Sequence, residues 1–186
     1  MTRRCVPDEL YGRLNRRLDD LKRRIDEETI PLQRAINDIQ FLIEGKTFQP
    51  HIINCDEDPF LPEGWKVDNH KKGGQLEWDP AKVRLHLSPN QQNGKSIRGD
   101  ELYKELENEP VLNANVLDYL LAHQELIPDE WKGKYVFFWG TIYRFSGGRL
   151  GIRCLYWNDD RWYWDSFWLG YDFYGSDPAA LSASIS

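Results

Sequence analysis

The chain has 186 residues, a net charge of −6, 40% apolar and 29% charged side chains, enough for one core or for a small domain with an appendage. It holds no run of about 18 consecutive apolar residues, which leaves no membrane-spanning helix, and Met1–Pro7 lacks the apolar stretch of a signal peptide. Basic and acidic residues number nine and nine in 1–45, nine and thirteen in 46–124, four and three in 125–150, and two and five in 151–186, so no segment has the basic excess of a protein that wraps duplex DNA.

Leu10, Leu14, Leu18, Leu21 and Ile25 recur at spacings of four, four, three and four, which predicts a helix over 8–28 with Asp8 or Pro7 at its start. Leu32, Ile36, Ile39 and Ile43 predict a second helix, with Pro31 at its first position and Gly45 past its end. A bend or tight turn is expected near Thr29–Pro31, with Thr29 as a cap. Pro31 breaks the heptad phase, so a long parallel coiled coil is not expected, but coiled-coil-like pairing over residues 8–44 would make a homodimer. Arg13, Arg16, Arg17, Lys22, Arg23 and Arg24 form the one basic stripe, interleaved with Asp19, Asp20 and Asp26–Glu28. They read as a solvated face of i,i+4 pairs or, alternatively, as a nucleic-acid contact.

Residues 47–64 contain three prolines and no helical period, and read as a linker or surface loop. Trp65–His70 and Gln75–Asp79 read as a hairpin turned by Lys71–Gly74, and Val83–Leu87 as a strand with one wet face. Ser88–Gly99 is expected to be a mobile polar loop. Helices follow over Asp100–Asn108 and over Val116–Gln124, the latter capped by Asn113 or Asn115, and Pro128–Trp131 makes one turn.

Trp131–Tyr174 holds 17 of the 25 aromatic residues and six of the eight Trp. Tyr135–Arg144, Arg149–Trp157 and Arg161–Leu169, separated by Gly- and Asp-rich loops, predict a three-stranded antiparallel meander. A three-residue second loop would set Arg153 opposite Asp165 as a cross-strand ion pair, and a two-residue loop would swap the third strand's faces. The expected class is α+β: a helical hairpin or bent helix over 1–46, a linker over 47–64, a small domain over 65–176 with two or three short helices and the meander at 131–174, and a flexible tail over 177–186.

For chemistry the sequence offers little. Cys5, Cys55 and Cys154 are an odd number at wide spacing, which suits free thiols in a reducing, cytoplasmic setting. His51 and Cys55 stand four apart without a second pair, and Asp56–Asp58 lacks the Gly and distal Glu of a calcium loop, so no metal or cofactor is expected. His70, His86 and His123 read as single surface or satisfied histidines, Cys154 as a buried small hydrophobe, and Lys71–Gly74 lacks the spacing of a phosphate loop. What remains is a surface for a protein partner, with Trp157, Trp162, Tyr163, Trp164, Trp168, Arg153 and Asp165 as its candidate residues. A small carbohydrate-acting hydrolase using Trp-lined subsites is a further alternative.

The segments VLNANVLDYLLA (111–122), WKGKYVFFWGTIYR (131–144) and GWKVDNHKKGGQLEWDP (64–80) resemble a family of uncharacterised bacterial proteins over roughly residues 60–180. The resemblance implies domain limits and carries no activity, so it transfers no functional residue.

Overall fold

The computed structural model describes residues 8–27, 29–30, 32–43 and 50–183. It divides into two units, Met1–Pro50 and His51–Ser186. The first holds helices α1 (Asp8–Asp26) and α2 (Leu32–Ile43). Thr29 follows α1. Its hydroxyl and its amide both donate to the Arg24 carbonyl, at 2.9 Å each, so it closes the C-terminus of α1. The expectations for Cys5, Pro7, Pro31 and Gly45 fall outside the described residues.

The second unit is dominated by sheet, which corrects the expectation of a small domain built on a three-stranded meander. Its eleven strands are β1 (Ile52–Asn54), β2 (Lys66–His70), β3 (Gln75–Glu77), β4 (Val83–His86), β5 (Ile97–Arg98), β6 (Val136–Phe137), β7 (Thr141–Arg144), β8 (Leu150–Asn158), β9 (Arg161–Trp168), β10 (Asp172–Phe173) and β11 (Ala179–Ser182). Helices α3 (Gly99–Glu105) and α4 (Ala114–Ala122) lie between β5 and β6 in the chain. Seven strands make one curled mixed sheet in the order β2-β7-β8-β6-β11-β4, with β9 on the other edge of β8, and β11 runs parallel to β6. Two further pairs, β1 with β3 and β5 with β10, complete the unit.

The meander widens because its first strand is interrupted. Phe138 N–H still donates to Arg153 O of β8, but beyond it the backbone leaves the ladder: Thr141 N–H turns back to Phe138 O, and Gly140 N–H reaches Leu112 O. β6 and β7 thereby share one edge of β8, and their far sides accept β11 and β2. Gly140 is required here, since a Cβ would stand 2.8–2.9 Å from the Asn113 backbone and Cβ where α4 begins. β2 and β3 do not form the expected hairpin. Each pairs elsewhere, because the Gly74 carbonyl takes the Cys55 amide and the Lys71 amide reaches Gly140 O.

Two other expectations are overturned. Residues 177–183 are not a flexible tail: Ala179–Leu181 are buried in β11, between β6 and β4. Short, small apolar residues suit a strand enclosed on both edges, and they look like a tail only when the neighbours are unknown. Ser88–Gly99 is also pinned rather than mobile. Ser88 and Gln91 form a capping box, and the buried Gln91 amide donates to Tyr174 O and Asp177 O at 3.0 and 3.1 Å.

The hairpin β8–β9 turns through two residues, Asp159 and Asp160, with Asn158 opposite Arg161 and Asp159 at φ 54°. Alternate residues of β8 therefore enter different cores. Leu155 packs with Val136, Trp162 and the α4 residues Val116, Leu117 and Leu120. Ile152 and Cys154 pack with Phe137, Phe173, Leu102 of α3 and Leu106 at its C-terminal end. Both faces of β8 are thus covered over Gly151–Leu155, whereas β9 is buried only at Trp162.

Candidate protein-interaction surface

Of the seven candidate residues, four take part in packing. Trp162 is buried, and Trp157 is half-buried beneath the ammonium of Lys132, 4.1 Å from the ring centre. Trp168 lies half-buried under Arg149, and Tyr163 under Arg161. Arg153, 1% exposed, does not face Asp165. The two-residue turn places Ser166 opposite it and turns Asp165 to the other face, opposite Cys154.

Arg153 instead reaches across to α4. Its two terminal nitrogens donate to the Asp118 carboxylate at 2.7 and 3.1 Å, a bidentate fork, while its Nε has no partner among the described residues. The guanidinium lies 4.4 Å from the ring centre of Trp164 and 5.2 Å from that of Phe60. Tyr143, on the adjacent strand β7, donates its hydroxyl to Phe60 O at 3.1 Å. Burial pushes the Tyr143 phenol above its ordinary range, and Arg153 partly offsets this. Trp65 closes the cluster, edge-on to Tyr143 and Trp164 and 4.3 Å between ring centres from Phe145.

The result is an aromatic rim on a locked base. Phe60 (54% exposed), Leu61 and Trp164 (37% exposed) face solvent, while Arg153, Asp118 and Tyr143 beneath them are fixed by hydrogen bonds. Both charges are committed to each other, so they hold the rim in place and are poorly suited to move a proton. A large apolar anchor on a rigid base is the composition of an interface hot spot.

Sequence reasoning missed Phe60, Trp65, Asp118 and Tyr143 as parts of this site. Two signals were present: Phe60-Leu61 is an apolar pair framed by Pro59 and Pro62, and Asp118 is the only charged residue in the apolar helix α4. On the opposite face Tyr135, Tyr156 and Tyr163 form an offset stack, with ring centres 5.4 and 5.9 Å apart. Their faces turn toward one another and Arg161 covers the outer face of Tyr163, so the row offers edges rather than platforms to a sugar or base.

The remaining candidates for chemistry are engaged in structure. His70 bonds Thr141 Oγ1 at 2.8 Å and Cys55 O at 3.1 Å, and His51 meets the Tyr119 hydroxyl at 2.8 Å. Burial pushes the Cys55 thiol up to about 11 and raises that of Cys154, the opposite of nucleophile activation. The Lys71 ammonium, its pKa lowered by burial, donates to carbonyls of the segment that follows α3, at 2.5 Å for Glu107. No group of three or more His, Cys, Asp or Glu among the described residues could hold a metal ion, and no helix there is long and apolar enough to cross a membrane. Comparison of the chain with protein-family models, curated proteins and solved structures finds no match.

Proposed function

We propose that the chain is a non-enzymatic interaction protein, in which the helical unit self-associates and the body presents the Phe60–Trp164 rim to a protein partner. The stripe on α1 and α2 is the observation that carries this. Leu10, Leu14, Leu18, Ile36, Leu42 and Ile43 stand between 38% and 74% exposed, and of the unit's described residues only Ala35 is buried. Covering each large side chain is worth about 1.5–3 kcal/mol, a strong drive to pair. The nine-to-nine charge balance of residues 1–45 adds no net repulsion between two copies. Light scattering on the full chain should give a dimer, and Leu14→Glu with Leu18→Glu should return a monomer. A wild-type monomer at micromolar concentration would remove the self-association half of the proposal.

A second reading has the α1 stripe touch nucleic-acid phosphates. One observation favours it: Arg13 and Arg16 enter no ion pair or hydrogen bond among the described residues, whereas Lys22, Arg23 and Arg24 are paired with Asp19, Asp20 and Glu27. A gel shift at low salt decides it, since phosphate contacts are strongest there; no shift excludes this reading.

A further inference from the structure

The outer edge of β9 leaves an open window among the described residues. The Leu169 amide donates to Leu150 O at 2.9 Å, which fixes the parity of the β8–β9 ladder: odd residues of β9 bond β8, and the amides and carbonyls of Trp162, Trp164, Ser166 and Trp168 point away. No second strand pairs with β9 among the described residues. Both ends of this edge are plugged. The Gln124 side chain accepts from Trp162 N–H at 2.9 Å and donates to Trp162 O at 3.0 Å, and Tyr171 N–H donates to Trp168 O at 2.9 Å. Between them, Trp164 N–H, Trp164 O and Ser166 O have no partner among the described residues, and Ser166 N–H is held by the neighbouring Asp165 carboxylate at 2.6 Å.

We propose that the window Trp164–Ser166 receives an extended segment of a partner protein as an added antiparallel strand, with a basic residue opposite Asp165 and aliphatic residues on either side of it. The proposal rests on the body being a protein-binding module and names the chemistry of its partner. Gln124 already presents to Trp162 the donor and acceptor that one residue of an antiparallel neighbour would present, so an incoming strand continues a ladder whose first rung is built. Its side chains alternate. Those opposite Trp164 and Ser166 fall on the face of the Phe60–Trp164 rim, where rings 6.3 Å apart offer apolar contact. The residue opposite Asp165 falls on the other face, beside Tyr163. That face is acidic: Asp165 and the turn residues Asp159 and Asp160 are exposed, and Arg161 is spent on Asp160 and the Tyr163 ring. A lysine or arginine there draws the Asp165 carboxylate off Ser166 N–H and frees the last donor of the window.

The test is fluorescence anisotropy with the full chain and a labelled peptide, acetyl-Thr-Leu-Lys-Val-Lys-Thr-amide. Saturable binding is expected. N-methylation of Leu and Val, whose amides face the edge, should weaken it about tenfold or more, while N-methylation of the two lysines, whose amides face away, should leave it within about twofold. Ser166→Pro should act like the first peptide modification; because both modified peptides are tested on unaltered protein, a misfolded variant leaves the decision intact. Absence of saturable binding, or equal binding of the two N-methylated peptides, overturns the proposal. Light scattering on the same samples keeps the two ideas apart. A monomer counts against self-association alone, and a dimer that does not bind the peptide counts against the edge-strand proposal alone.

Discussion

The carboxylate of Asp118 meets both terminal nitrogens of Arg153 across the contact between α4 and β8, where the arginine is 1% exposed and the carboxylate side chain 30%. Removing one partner of such a pair leaves a buried charge unanswered, whereas replacing both with apolar side chains does not. Asp118→Ala should therefore cost about 3 kcal/mol in urea unfolding, and the double variant Asp118→Leu with Arg153→Met clearly less. Equal losses would show that the pair contributes packing rather than charge.

Two glycines should respond with opposite signs. At Gly140 a methyl group meets the Asn113 backbone and Cβ at 2.8–2.9 Å, on two elements that both need to stay where they are. Gly140→Ala should lower stability by about 1–3 kcal/mol through overpacking. Gly12 sits inside α1 with nothing within 4 Å of an added Cβ, so Gly12→Ala should add about 0.5–1 kcal/mol to the helical unit. Thermal unfolding followed by circular dichroism reads both.

These residues also mark how much was legible in the sequence. Periodicity was enough for α1, α2 and α4, and Asn113 does cap α4, its side chain accepting from Asn115 N–H. The aromatic density of 131–174 announced β8 and β9. Sheet order was not legible, because it depends on pairings between distant segments: β11 enters beside β6 with 41 residues between Phe137 and its partner Ala179. Register failed at one residue of loop length. The Asp159-Asp160 turn is one residue shorter than the Asn158–Asp160 loop, and that single step exchanged Arg153's partner from Asp165 to Asp118. At the candidate surface, Arg153 and Trp164 were visible as types, while Phe60 and Asp118 come from a loop and a helix that only the tertiary fold brings to them.

Stability should fall in alkali, and the window follows from the thiols. Burial raises the folded-state pKa of Cys55 from an ordinary value of 9.0 to about 11, and raises that of Cys154 as well. A group with a raised folded pKa contributes stability that is complete below its unfolded value and lost as pH rises through the folded one. The loss should begin near pH 9 and steepen toward 11, at up to about 1.4 kcal/mol per pH unit for each thiol. In a Cys5→Ser chain, denaturant midpoints across this range should fall, and both remaining thiols should react slowly with a disulfide reagent at neutral pH. A flat profile would mean that the two sulfurs are more open to water than their burial indicates.

Gln124 guards the end of the β9 edge. Its amide answers both the N–H and the C=O of Trp162, at 2.9 and 3.0 Å, and so occupies the place of a neighbouring strand. Gln124→Ala removes both bonds and leaves two backbone groups of a buried-tryptophan position to find water or another chain. Two net hydrogen bonds are worth about 2 kcal/mol, which urea unfolding should report as lost stability. Edge strands with unpaired backbone groups also template pairing between copies, so the variant should associate further with rising concentration, read by light scattering above the mass of the wild-type assembly. Gln124→Glu separates the two effects. The carboxylate keeps the acceptor for Trp162 N–H, loses the donor to Trp162 O, and places a charge on the edge that opposes strand addition. It should lose about half the stability lost by the alanine variant and stay at the wild-type mass. If both variants remain at that mass, Gln124 contributes stability and the edge is protected by Asp165 and the turns at its ends.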